Sequence, residues 1–502
     1  MRSTGEKRRP VRRHGKTLVF FALTLPLLLG MIGLVLDGGL LMAAHRQVQN
    51  VADTAATAAA MDKFRGATDA AATATANTFM ANNGMSSLTL TLNGGATNAI
   101  NIPPQDPGNS GSPYKGVVNY VEAVVSYPVT TMFVQIIGVN RNQQVTARAV
   151  AGFEPVGAGE GVFVLDDTVS PGLQINNSNS RLIVNGDITV NSAGGGVDQF
   201  GATVASVLNA DAVKVSNATV TPAPIVATAL NVVGGVTDVD NIRAYDAAFG
   251  PTNYYDASNT DRPVFARAPI APDPLLSLAT PTTTSPGSPY AQVQPFYPDK
   301  TGANQGSPQS IILVNNDTVT LVPGIYKDIS IGNGANVTFS QGIYVLASGS
   351  TNTMKITGGT VQSSGNGVMF YNTGSNYNPT SGAPDNSDGS TTPATINGIG
   401  GAFQITGGTV SLLPLTDAGS PFNGLLFYQR RFNTNTATVS GSGNLNLQGT
   451  LYAKWAQFHL SGQGSYQAQF IVGSMAIDGG ATVTINAAGK NLGKANLVFL
   501  VE

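Results

Sequence analysis

The stretch Ile356-Thr357-Gly358-Gly359-Thr360-Val361 returns unchanged as Ile405-Thr406-Gly407-Gly408-Thr409-Val410, and this repetition decides how the larger part of the chain folds. Two short β-prone pieces flank a glycine corner. Working outward, Pro323-Gly324-Ile325-Tyr326 is echoed by Gln341-Gly342-Ile343-Tyr344 eighteen residues later, near the length of one turn of a β-helix. Met369-Phe370-Tyr371, Leu426-Phe427-Tyr428 and Thr450-Leu451-Tyr452 each follow a glycine. Val337-Thr338-Phe339, Leu445-Asn446-Leu447 and Val483-Thr484-Ile485 alternate apolar and polar, as strands with one inward face do. Stacked turns explain this economy, because each strand pairs above and below while glycine or asparagine takes the corners. Residues 156–502 are therefore expected to form a parallel β-helix. A β-sandwich also has short strands and many turns, but repeats near eighteen residues with small polar corners fit stacked turns better than hairpins. Prolines are dense over about 251–308, which predicts a long excursion where ladder pairing fails, and Asn372 to Pro393 predicts a second insertion rich in glycine and serine.

Composition agrees with this reading. The chain has 502 residues, 11% charged and 42% hydrophobic, with 59 glycines and 28 prolines. A net charge of −2 together with β-branched residues throughout argues against disorder, and 26 basic against 28 acidic residues leave no field for nucleic acid. The absence of cysteine excludes disulfides, thiol nucleophiles and cysteine-held metals. With only His14, His45 and His459, a multi-histidine metal site within one chain is not expected unless carboxylates supply the other ligands. No cofactor or metal ligand set is expected.

The N-terminus has a different character. Seven cations, among them Arg8, Arg9, Arg12, Arg13 and Lys16, precede a run from Leu18 to Leu36 that carries no charge. Leu18, Phe20, Phe21, Leu25, Pro26, Leu29, Ile32 and Leu36 lie in this run, which is long enough to span a hydrocarbon core of ~30 Å. Proline and glycine are tolerated inside such a helix. The cations set the orientation, with residues 1–16 as a cytoplasmic tail and the bulk of the chain outside the cytoplasmic membrane. A cleavable signal peptide would have a shorter apolar region, and a buried soluble helix would have no reason to gather cations at its start.

The helical pattern then continues through Val48, Val51, Ala52, Ala55, Ala56, Ala59 and Ala60. This stripe of small residues reads either as a face for a partner helix or as a solvated alanine-rich stalk, so 17–84 is taken as transmembrane helix plus stalk. Residues 85–155 read as a small α/β unit, with strands at Leu88 to Leu92, Val117 to Tyr127 and Val145 to Ala151 and an apolar helix at Thr130 to Ile137 closed by Gly138. The expected fold class is thus mainly β, with an N-terminal transmembrane helix and stalk, a small α/β domain and a C-terminal parallel β-helix.

The order Arg13-His14-Gly15, Leu18 to Leu23, Pro26, Gly33-Leu34-Val35-Leu36-Asp37-Gly38-Gly39 and Arg46-Gln47-Val48-Gln49-Asn50-Val51-Ala52-Asp53 resembles the N-terminal domain of the Tad (tight adherence) family, the Flp pilus-assembly TadG-like proteins. The segment from Tyr120 through Phe133 and Gly138 to Ala151 is similar to the region after that helix in TadE- and TadG-like proteins. The resemblance implies an envelope protein of type IVb pilus assembly, with adhesion as a further role. Other Tad assembly proteins are then its expected partners, through the alanine-rich helix. Where processed pseudopilin relatives carry Glu five residues after the cleavage-site Gly, this chain has Phe20 after Gly15, which implies an anchor that stays uncleaved. The repetitive body also resembles the right-handed β-helix found behind Tad domains in some envelope proteins.

Chemistry is sparse. Asp166-x-Thr168-x-Ser170 superficially fits a metal-ion-dependent adhesion site, but strands rather than a helix are expected after it. A polysaccharide lyase on this scaffold would need clustered carboxylates and a base, and Arg430, Arg431, Lys454 and Asp417 are scattered among turns. His459 lies in a strand-like run without a nucleophile elbow, beside Trp455 and Phe458. The expectation is a protein that is not an enzyme. A tethered carbohydrate-active enzyme and a passive surface protein are the alternatives.

Overall fold

The computed structural model describes residues 16–64, 67–83, 99–106, 111–117, 120–157, 160–216, 222–349, 352–383, 400–441, 444–480 and 482–501. The chain divides into two compact units: Met1–Glu154 with Asn496–Glu502, and Pro155–Ala495.

In the first unit, helix α1 runs unbroken over Lys16–Phe64 and is followed by α2, Asp69–Asn82, whose first turn is capped by the Thr68 hydroxyl. Strand β1 (Ala99–Asn101) pairs antiparallel with β2 (Tyr120–Thr130), and β2 pairs antiparallel with β3 (Asn142–Gly157). The C-terminal strand Lys494–Leu500 returns to the far side of β3 and completes a four-stranded sheet.

Alternation along β2 and β3 sends Val121, Ala123, Val125, Ala147, Ala149 and Ala151 to one face. There they share one core with Val48, Val51, Ala52, Ala55, Ala56, Ala59 and Ala60 of α1 and with Ala72, Ala76 and Met80 of α2. Alanine lets these helix backbones approach the sheet closely. The alanine stripe is therefore covered by the chain's own sheet and second helix, which corrects the expected free stalk and leaves that face no surface for a partner. It also merges the expected stalk and small domain into one core. The expected helix at Thr130 to Ile137 shrinks to a 3-10 turn, Val134–Ile137, closed by Gly138 at φ +84°. The expected strand at Leu88 to Leu92 lies outside the described residues.

The second unit is built mainly of three parallel ladders, beside one short antiparallel pair, Gly196–Val197 with Thr203–Val204. The first carries strands such as Glu160–Val164, Gly342–Ala347, Val368–Thr373 and Leu425–Gln429; the second includes Leu173–Ile175 and Ala437–Ser440; the third includes Asn336–Phe339 and Thr482–Asn486. The echoes of the sequence stack on one another. Ile356 pairs with Ile405, Thr360 with Thr409 and Val361 with Val410, while Phe370 pairs with Phe427 and Tyr371 with Tyr428. Gly359 and Gly408 turn the corner at φ +78° and +91°, a backbone region that other residues adopt at a cost. All three alternating motifs fall in the third ladder. The two Gly-Ile-Tyr motifs share the first ladder, though Gly324 pairs with Tyr344, two residues out of motif register.

Several strands of the first ladder are apolar on both sides. Val162 and Val164 point into the main core, whereas Phe163 and Leu165 point the other way into a second core. The second core is closed by Leu275, Leu278, Ala291 and Val293 from the proline-rich excursion, which begins after Ala266 rather than near residue 251, because Val264–Ala266 still pairs in the first ladder. The excursion is held step by step: Ala271 to Asn191, the Leu275 and Leu278 carbonyls to Arg431 and Tyr428, Ser288 to Asp417, and the Phe296 carbonyl to the Ile325 amide. The second insertion begins after Thr373, since Asn372 and Thr373 are still in a strand.

The stacking order departs from the chain order. Val264–Ala266 pairs only with Leu230–Val232 and marks one end of the first ladder; Gln309–Leu313, which opens the next stretch of chain, pairs only with Gly324–Ile331 at the opposite end of the second, among the described residues. The strand Glu160–Val164 lies in the middle of the first ladder, where Val162 pairs with Phe470 on one side and with Ile188 on the other. The chain thus enters mid-stack, builds to one end, crosses along the excursion to the other end, and builds back until its last strands meet its first.

Candidate functional site: the anchor helix and its clamp

Helix α1 is long and apolar enough to cross a membrane, and only 7% of its most apolar window is buried by the protein. Phe20, Phe21, Leu25, Ile32 and Leu36 are all exposed, with Phe20 at 71%. A soluble core helix would hide these side chains. Lys16, Leu18, Pro26 and Leu29 belong to the same helix, while Arg8, Arg9, Arg12 and Arg13 lie outside the described residues.

Near the end of the apolar run the helix is gripped. Gly33 and Asp37 stand four residues apart and so share a face. The Asp37 carboxylate is 3% exposed and accepts hydrogen bonds from the amides of Met132 (2.9 Å), Phe133 (2.6 Å) and Val134 (2.7 Å), the free donors at the start of the 3-10 turn. The Phe133 side chain packs over Gly33, where an added Cβ would lie 2.5 Å from the ring. One carboxylate and one missing side chain thus hold the β2–β3 loop on the helix. Further along, the Gln49 amide donates to Asp53 and to the Arg148 carbonyl of β3. Residues 15–62 match the Tad family. The family's description is "Putative Flp pilus-assembly TadE/G-like". The Tad segment contains Gly33, Asp37, Gln49 and Asp53 but ends before Phe133 and the rest of the loop. No curated protein and no solved structure gives a significant match to the chain.

On the sheet face away from the helices, Glu122 is fully buried. Its carboxylate accepts from the Asn101 side chain (2.7 Å), the Gln105 amide (3.0 Å), the Asp106 amide (3.2 Å) and Arg148 Nε (2.6 Å). Burial pushes this carboxyl up, but the hydrogen bonds and the Arg148 charge outweigh that and hold it below its ordinary value. The cluster ties the 101–106 segment to β2 and β3.

The chemical candidates of the second unit are spent on structure. Asp166 accepts from the Thr168 amide and hydroxyl, Ser170 donates to the Ala210 carbonyl, and a strand comes next, so the three do not converge on a metal. Among the described residues no group of three carboxylate or imidazole side chains is placed to hold a metal ion. Arg430 and Arg431 are the largest fully buried side chains among the described residues. Arg431 donates to Tyr452 Oη (2.8 Å) and to the Leu275 carbonyl (2.6 Å), and Tyr452 donates to Asp273 (2.6 Å), so the pair locks the excursion down. Asp417 accepts from the Ser288 amide of the excursion at 2.6 Å. Lys454 lies over the ring of Trp455, and His459 is 3.8 Å from Asp478. Sequence spacing could not reveal how Arg431, Tyr452 and Asp417 act, because their partners in the excursion lie more than 100 residues away.

Proposed function

We propose that this chain is a single-pass, membrane-anchored envelope protein of Flp/Tad pilus assembly, of TadG-like type, that works without catalysis. The observation that carries the reading is the coincidence of the Tad match at 15–62 with a helix whose apolar half the protein leaves bare. The seven cations before residue 17 support an N-terminus in the cytoplasm, with the second unit on the other side. Its three parallel ladders support a right-handed parallel β-helix that presents surface for adhesion or scaffolding. Phe20 at the position five residues after Gly15 supports an anchor that is not processed.

Partners in this reading are the membrane and other pilus-assembly proteins, engaged through surfaces other than the alanine face. Deletion of the coding region is expected to abolish surface pili or adherence, and normal piliation in the deletion strain would overturn the proposal. Protease added to spheroplasts is expected to digest the second unit while sparing the first residues. The enzyme alternative is disfavoured by the burial of Arg430, Arg431 and Lys454, which no polymer could reach. Release of unsaturated uronic-acid product by the full-length protein in detergent would revive it.

A further inference from the structure

We infer that the β2–β3 loop, residues 131–141, is a second membrane element: an insertion loop that dips into the extracytoplasmic leaflet of the bilayer that α1 spans. The inference rests on the transmembrane reading of α1 and adds a contact that the helix alone does not make.

Depth comes first. Gly33 precedes the end of the uncharged run Leu18 to Leu36 by three residues, or about 4–5 Å along the helix axis at ~1.5 Å per residue. Phe133 packs against Gly33, so a helix placed with this run in hydrocarbon carries Phe133 to that level. The loop cannot stay in water while its ring sits there.

Chemistry agrees with the placement. From Ala123 to Asn140 the chain carries no charge, and the loop reads Thr-Met-Phe-Val-Gln-Ile-Ile-Gly-Val over 131–139. Met132 is 67% exposed and Val139 41%, surface that a water-facing turn would give to polar residues. Leu36, Leu40 and Met42 on α1 are exposed too, so apolar surface continues along the helix past Asp37. Tyr127 precedes the loop and Arg141 ends it, residue types suited to the headgroup level.

Backbone polarity is the strictest condition, because hydrocarbon offers no partner for a bare amide. The loop meets it internally for six of its amides. Amides of Met132, Phe133 and Val134 go to Asp37, the Thr131 amide and hydroxyl to the Arg141 carbonyl, Gly138 to Gln135, and Val139 to Val134. Even the Gln135 side chain donates back to the Met132 carbonyl. The same three bonds stabilise the ionised Asp37 carboxylate near the membrane boundary, so Asp37 and the loop each make the other's position tolerable.

The absence of cysteine makes the test direct. Met132→Cys, Leu25→Cys and Val207→Cys variants of the full chain would each carry one environment-sensitive fluorophore, in nanodiscs of phosphatidylethanolamine and phosphatidylglycerol. All three positions are exposed, at 67%, 44% and 99%, so folding is not at stake. The label at 132 is expected to be quenched by lipid-borne nitroxide and to show iodide quenching at least about threefold weaker than the label at 207. If 25 responds to lipid nitroxide while 132 behaves like 207, the inference is overturned and the anchor reading stands. If 25 fails to respond, both fall. A label at 132 shielded from iodide and lipid nitroxide alike would place it against a second copy of the protein and would also overturn the inference.

Discussion

Glu122 shows how one buried carboxylate couples the first unit to pH. Its folded-state pKa is lowered, so it contributes stability that is fully present above the unfolded value of about 4.3 and is lost as pH falls through the folded value. Glu122→Gln keeps the shape and removes the charge. The variant is expected to be less stable than the parent at neutral pH and to show a flatter loss below about pH 4.3, read by hydrogen exchange of the β2 and β3 peptides across an acid series.

Arg430 and Arg431 make a sharper contrast, since they are neighbours and equally buried. Arg431 has Tyr452, Leu275 and Leu278 as acceptors, whereas the Nε and Nη2 atoms of Arg430 have none and its Nη1 reaches only Asn376. Burial alone lowers the basicity of Arg430. Arg430→Met is therefore expected to be neutral or stabilising in urea, while Arg431→Met loses roughly 3 kcal/mol by leaving Asp273 and Tyr452 uncompensated. Trp455, the one tryptophan, is buried in the same unit and reports the transition.

Among elements, the tyrosine column Tyr371, Tyr428 and Tyr452 crosses three successive strands with ring centroids 5.2 and 5.4 Å apart. It lies in the second core, between the first ladder and the excursion. Tyr428→Ala is expected to cost about 3–5 kcal/mol, and Tyr428→Phe only about 1 kcal/mol for the bond to the Leu278 carbonyl, both measured by Trp455 fluorescence in denaturant. This column was legible from the recurrence of aromatic triplets after glycine, and so was the third ladder from its alternation. Repeats announce themselves because stacked positions face the same neighbours. The alanine stripe misled for the opposite reason: small residues permit close approach by a helix, a sheet or water, and nothing local tells which. Within the clamp, Gly33 and Asp37 were visible as part of a family pattern, but their partner Phe133 stands a hundred residues on.

For the molecule as a whole, connectivity is the part no local signal carried. The strands over 160–266 have no letter-for-letter echoes, so their place in the stack, between the last strands and one end, was not readable. The strand Lys494–Leu500 likewise returns to β3, where the Val501 amide donates to the Val150 carbonyl. Truncation after residue 463 removes the pairs Val162–Phe470 and Leu182–Val483 together with the outer strand of the first unit. An ordinary repeat array would tolerate the loss of its last turns. Here the truncated chain is expected to lose the single cooperative transition of Trp455 fluorescence and to lose exchange protection in β3, whereas removal of only 494–502 spares the fluorescence transition.

The meeting of first and last strands also sets a clock on synthesis. Val162 leaves the ribosome 308 residues ahead of Phe470, a wait of about 15–60 s at ~5–20 residues per second. Throughout that interval the edge of Glu160–Val164 that will face Phe470 stands unmatched, while its other edge already has Asp187–Val190, and the open edge is a template for any stray extended chain. A cell making this protein has to shield that edge, or finish the chain quickly, before the last strand arrives to claim it.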